Sequence, residues 1–299
     1  MNPKKDIIII SEGGCMSGVF GAGVFSAFQT FGLEERIDSI YAASAGAANA
    51  AFFLGGDTFL GATIYYQDFI DNHFIKKDKI STYFYELYEH LLHKEKKIES
   101  VVDIDYLVDI ITHKKKISAE QVTHSDIDFY IRVLNLETLS FDYLHAKKDV
   151  IEDMQASCAI APFYSKIVTI KGKKYVDGSL ISNKEFLDII KAHPEKQIIY
   201  IINHRDKTVR QRLHGLRLDI LQAGVLWMVY GRKLARKVLY NRRKVVTKKD
   251  IREFPNVYPI INKYYIESSC TQQKKLWKTY MHGMMQGVRC LRKIGIPFR

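Results

Sequence analysis

The stretch Ser39-Ile40-Tyr41-Ala42-Ala43-Ser44-Ala45-Gly46-Ala47-Ala48 places one serine after a short apolar run and among residues with almost no side chain. Two readings fit it. One is tight packing of a helix on a sheet. The other is a sharp strand-to-helix turn that holds a hydroxyl up for attack. In such a turn the residues two before and two after the apex approach closely, so only small ones fit. Here those are Ala42 and Gly46, in the form A-x-S-x-G. Ser44 at a helix N-terminus would also have free N–H groups and the helix dipole beside it, both favourable to developing negative charge.

A nucleophilic serine needs a proton acceptor and an oxyanion site. The loop "SEGGCMSG" can supply the oxyanion site, because its glycines let backbone N–H groups point into a cavity without Cβ interference. The competing reading, a phosphate loop, lacks both G-x-G-x-x-G and a lysine of the P-loop kind. For the acceptor, Asp177-Gly178 in "YVDGSLISN" follows a strand, although an ordinary turn has the same sequence. The histidines lie mostly in polar stretches. "HLLH" at 90–93 has no third acid or thiol near it and reads as a solvated helix face.

The elements that must position these residues alternate. Ile7–Ile10 reads as a buried strand, Val19–Phe31 as a helix, Ile37–Ala42 as a strand and Ala45–Leu54 as a small-residue helix. That order is an α/β layout. Residues 59–116 have helical character and many aromatics, and the aromatics of 59–91 suit the core or an acyl channel. Strand chemistry returns at 127–135, at 166–176 with a hairpin turn at Lys171-Gly172, and at 197–203. No apolar run approaches the roughly 20 residues of a membrane span. The N-terminus is too short in its apolar part for a secretory signal. The four cysteines form no CxxC pair, so a reducing, cytoplasmic setting is expected.

Three blocks together resemble the patatin-like phospholipase family. "SEGGCMSGVFGAGVFSAF" is similar to its glycine-rich oxyanion block, "YAASAGAANAAF" to its nucleophile elbow, and "QASCAIAPFYSKIVTIKGKKYVDGSLISN" to its A-S-x-A-x-P-x-F and D-G-[GA] motifs. The resemblance implies a three-layer α/β/α fold with a mostly parallel sheet. It further implies a Ser-Asp dyad of Ser44 (nucleophile) and Asp177 (proton acceptor), an oxyanion hole at Gly13, Gly14 and Cys15, and support from Ala42, Gly46 and Gly178. The substrate would be a lipid ester, with no metal or cofactor. Three positions depart from the pattern: Cys15 replaces a glycine, Ser17 an arginine, and Ser179 ends the D-G motif. A catalytically weak or silent lipid-binding or regulatory relative is the alternative, and a His-dependent hydrolase a further one.

The expected organisation is a patatin-like domain over 1–205 and a basic, mainly helical extension over 206–299 packed on it. Of 45 Lys and Arg residues, 14 lie between Arg205 and Lys249, against 2 of the 33 Asp and Glu, so the whole surplus of +12 belongs to that segment. Its basic and apolar residues interleave. A helix with a solvated basic face and an anionic membrane surface both fit. The latter would place the protein at the inner face of a membrane. Nucleic acid is not expected, since no recognised module is present.

Overall fold

Eight strands form one sheet in the order β5-β6-β3-β2-β1-β7-β8, with β4 also paired to β3. The computed structural model describes residues 5–79, 82, 83, 85–87, 89, 99–204, 220, 222–241 and 246–296. The strands are β1 (Ile7–Ser11), β2 (Ile37–Ala43), β3 (Asp128–Asn135), β4 (Phe141–His145), β5 (Val168–Ile170), β6 (Lys173–Asp177), β7 (Gln197–Ile202) and β8 (Val257–Ile261). The run β3-β2-β1-β7-β8 is parallel, and β4, β5 and β6 are antiparallel to their neighbours.

The run of four isoleucines explains why β1 is central. Alternate side chains leave opposite faces of a strand. Ile7 and Ile9 enter one core, and Ile8 and Ile10 the other. Helices α1 (Val19–Thr30), α2 (Ala45–Leu54) and α3 (Thr58–Thr63) cover the first face. They are followed by α4 (Ile104–Asp109), α5 (Ala119–His124) and α6 (Val150–Cys158). The second face is covered by α7 (Phe186–Ala192) and α9 (Lys248–Arg252), which flank α8 (Arg232–Asn241) in sequence. The last helix, α10 (Gln273–Lys293), returns to the first face and lies along α1. Helices on both faces of a mostly parallel sheet make the three-layer α/β/α fold.

Two features depart from the sequence reading. The helical character of 59–116 is broken. After α3 comes a π turn, Ile64–Asp68, and the chain then leaves the helix and bridges Ile75 to Val102; it is helical again at the described residues 82, 83, 85–87 and 89, and again at α4. The cause is aromatic burial: Phe69 and Phe74 stack with centroids 3.7 Å apart inside the first core, and positions five apart on a helix cannot face each other, so the chain turns between them through exposed Asp71, Asn72 and His73. The C-terminal segment also contributes a strand, β8, whose register on β7 runs from Ile198–Val257 to Ile202–Ile261. The hairpin at Lys171-Gly172 forms as expected, with both residues at positive φ. His90 and His93 lie outside the described residues. Among the described residues no helix is long and apolar enough to cross a membrane.

Candidate active site

Strand register brings Ser44 and Asp177 together. β2 pairs with the first part of one β3 edge and ends with Ala43 opposite Arg132. β6 takes up the same edge one residue later, with Asp177 opposite Val133, while β4 holds the other edge. The residue after Ala43 therefore meets the last residue of β6 at the seam. There the Ser44 Oγ donates to Asp177 Oδ2 over 2.8 Å.

Ser44 sits at φ 53°, ψ −128°, between the end of β2 and the first residue of α2. An L-residue in that region is strained by roughly 1–3 kcal/mol and persists only where its surroundings fix it. They do so here. A Cβ on Gly46 would fall 2.6 Å from the carbonyl oxygens of both Ser11 and Glu12, so the elbow closes only with glycine. Ala42 is buried, opposite Ser11 and Ile131 in the ladder. The Ser44 amide donates to Ser157 Oγ over 2.8 Å, and that hydroxyl donates to the Arg132 carbonyl over 2.7 Å. A Cβ on Gly178 would meet the same carbonyl at 2.0 Å. One peptide oxygen thus gauges both the elbow and the Asp-Gly turn.

Asp177 is buried, and burial pushes its carboxyl up to about 6 from 3.8. Hydrogen bonds from the Ser179 amide (2.5 Å to Oδ1) and Ser44, and the charge of Arg132, offset part of that shift. A carboxylate raised this far is a better proton acceptor and is still ionised at neutral pH. Cys15 and Cys158 both feel the charge of Asp177, and Cys158 the Ser44 hydroxyl as well. Burial pushes the Cys15 thiol up to about 12 and the Cys158 thiol well above its ordinary value. Both thiols are therefore protonated at neutral pH.

The glycine loop lies against the elbow, with a Cβ on Gly13 falling 2.8 Å from that of Ser44. Among the described residues, no backbone carbonyl accepts from the amides of Gly13, Gly14 or Cys15. Cys15 takes φ 50° where glycine would do so freely. Ser17, in place of a long cation, donates its hydroxyl to the Gly14 carbonyl over 2.8 Å, and His204 Nδ1 stands 3.4 Å from that hydroxyl. Asn203 fastens the loop. Its Nδ2 donates to the carbonyls of Glu12 (2.6 Å) and Gly13 (3.3 Å), and its Oδ1 accepts from the Gly21 amide.

Sequence reasoning did not assign roles to Ser157, Arg132, Glu12 or Asn203. Arg132 carried a signal, as the single charge in the middle of an apolar strand. Its side chain is fully buried, lies over the Phe141 ring, and donates to the Ser182 carbonyl and to Asn183 Oδ1. Glu12, just before the glycines, accepts from the Tyr200 hydroxyl at 2.6 Å, and burial pushes it up to about 7. Among the described residues no three His, Cys, Asp or Glu side chains gather as a metal site.

The model of the patatin-like phospholipase family matches residues 9–189, more than half of the chain. The chain belongs to the patatin-like phospholipase family. No curated protein matches it significantly. Among solved structures it is similar to VipD from Legionella pneumophila, at 12% identity over 97% of this chain and 67% of that one, with a TM-score of 0.49. Human GIVD cytosolic phospholipase A2 follows at 9% identity, 98% and 59% coverage, and 0.39. The type III effector ExoU from Pseudomonas aeruginosa aligns at 13% identity, 80% and 54% coverage, and 0.33. This patatin-like chain thus spans about two thirds of the first of these chains and somewhat over half of the other two.

Proposed function

We propose that this protein is a serine acyl-hydrolase of the phospholipase A or lipid esterase kind, working through a Ser44–Asp177 dyad. The observation that carries the reading is the 2.8 Å bond from a serine at a strained strand-to-helix turn to a buried, ionisable carboxylate. Ser44 Oγ attacks the ester carbonyl carbon as its proton passes to Asp177 Oδ2. The amides of Gly13, Gly14 and Cys15 receive the oxyanion, aided by the N-terminus of α2. Collapse breaks the bond to the leaving alcohol, which takes the proton from Asp177 and leaves an acyl group on Ser44. Water then attacks the acyl carbon with Asp177 again as acceptor, the acyl–Oγ bond breaks, Ser44 Oγ takes the proton back from Asp177, and the carboxylic acid departs. No metal or cofactor enters these steps.

In this reading residues 1–205 carry the chemistry and 206–299 form the basic extension, supported by the pairing of β8 with β7 and of α10 with α1. The protein works in the cytoplasm and meets an anionic membrane through 205–249. Residues 205–219, 221 and 242–245 lie outside the described residues. In the remainder, exposed Trp227, Met228 and Tyr240 accompany Arg232, Lys233, Arg236 and Lys237. A catalytically silent lipid-binding relative is the second reading, favoured by Cys15 at positive φ in the oxyanion loop. A fluorophosphonate probe decides between them: wild type labels and Ser44→Ala does not, whereas an unlabelled wild type leaves the binding protein. Hydrolysis of a panel of phospholipids then reads the substrate class.

A further inference from the structure

We propose that the outer face of α10, with α3 beside it, is a docking surface for an anionic lipid bilayer, separate from the 205–249 segment. The proposal deepens the acyl-hydrolase reading, on which it rests for its choice of lipid. α10 buries Leu276, Tyr280, Gly283, Gly287 and Leu291 on its inner side. Its outer side carries Trp277, Met281 and Met285, which are 47%, 39% and 51% exposed. A spacing of four residues puts the three in one stripe. Phe59 of α3, 47% exposed, continues the stripe across an open groove of about 650 Å³ lined also by Leu60, Thr63 and Tyr66. Large apolar side chains left exposed together around a groove are a feature of interaction surfaces.

Charge selects the occupant. Between Gln273 and Lys293 there are six Lys and Arg residues and no Asp or Glu. By helical spacing Lys274, Lys278 and Arg292 share the face of Trp277 and Met281. Asp57, the carboxylate lining the groove among the described residues, already accepts from the Leu60 amide. Exposed Trp and Met beside Lys and Arg on an amphipathic helix is the pattern of a helix lying in an anionic lipid interface. A second copy of this chain docking through the same face would set these cations against their own kind.

The face also stands at the right end of the molecule. Gly283 packs against Phe20 and Gly287 against Ala27, so α10 and α1 advance in the same sense. The Trp277 end of α10 is then the end where α1 leaves the glycine loop. Trp277 packs edge-on to Tyr66, and the next residue back, Tyr65, donates its hydroxyl to Asn49 of the elbow helix. The Met16 amide in turn donates to the Ser268 carbonyl, just before α10. A bilayer on this face lies beside the elbow.

The chain has two tryptophans, Trp227 and Trp277, so each can be made the sole emitter. Full-length Ser44→Ala carrying Trp227→Phe is mixed with phosphatidylcholine vesicles with and without phosphatidylserine. Blue-shifted Trp277 emission, quenched by acyl-chain-brominated lipid and seen only with phosphatidylserine, is expected. Lys274→Glu with Lys278→Glu should weaken vesicle binding about tenfold or more at low salt. Placed in the Ser44 enzyme, the same pair should slow vesicle hydrolysis and leave hydrolysis of a soluble short-chain ester unchanged, which a folding defect would not do. Unshifted Trp277 emission on bound vesicles overturns the proposal, as does binding indifferent to the charge reversal. Trp277 buried by self-association in sedimentation, without lipid, overturns it in favour of a second copy. Since binding is read on Ser44→Ala, its failure is separate from failure of the dyad.

Discussion

Replacing Asp177 by asparagine should abolish hydrolysis and stabilise the protein, two effects with one cause. The wild-type carboxyl stands at about 6 in the fold against 3.8 outside it, with burial as the largest contribution. A difference of about 2 in pKa corresponds to about 3 kcal/mol. Below pH 4 the group is protonated in both folded and unfolded chains, and nothing is lost. Between pH 4 and 6 the folded chain holds a proton that the unfolded chain has released, so stability falls as pH rises. Above pH 6 the full penalty of about 3 kcal/mol is present. An asparagine side chain at this position is isosteric, keeps an acceptor for the Ser179 amide and carries no charge. Urea unfolding should therefore show Asp177→Asn more stable than wild type by up to about 3 kcal/mol at pH 7.5, with a much smaller difference near pH 4.5. Wild-type kcat/KM should fall about tenfold per pH unit below about 6, as the proton acceptor is lost. The reasoning is refuted if the variant hydrolyses esters at the wild-type rate, or if its stability relative to wild type is the same at both pH values.

Three further variants test the supports. Gly46→Ala drives a Cβ to 2.6 Å from two carbonyl oxygens, so it should destabilise by about 1–3 kcal/mol in urea and abolish fluorophosphonate labelling as the elbow opens. Ser157→Ala removes the acceptor of the Ser44 amide and should cost about 1–3 kcal/mol, with labelling slowed because the strained conformation loses a restraint. Arg132→Met removes a buried cation that draws Glu12 down. A loss of about 3–5 kcal/mol is expected by urea unfolding, larger at pH 8 than at pH 6, because ionised Glu12 then lacks its compensating charge.

Local chemistry was legible in the order of residues. Four β-branched isoleucines in a row favour a strand buried on both faces, and a lysine-glycine pair between strand runs turns a hairpin. The small residues around Ser44 mark a close approach whatever packs there. The sequence thus determined the α/β layout, the elbow and the glycine loop, because each depends on steric and hydrophobic properties of residues adjacent in the chain. Residue chemistry by itself reads Asp177-Gly178 as a plain turn, and it is the family resemblance that singles out Asp177; how that acid reaches the serine is not written in either stretch. Only tertiary structure decided that: β2 and β6 share one edge of β3, where β2 ends opposite Arg132 and β6 ends opposite the next residue, Val133. The same holds for Ser157 and Asn203, which look like ordinary polar residues until distant backbone groups arrive beside them. It holds too for β8, where Val257 finds its partner at Ile198, far back in the chain. Contacts between remote segments leave no periodic trace in either segment, so the fold had to supply them.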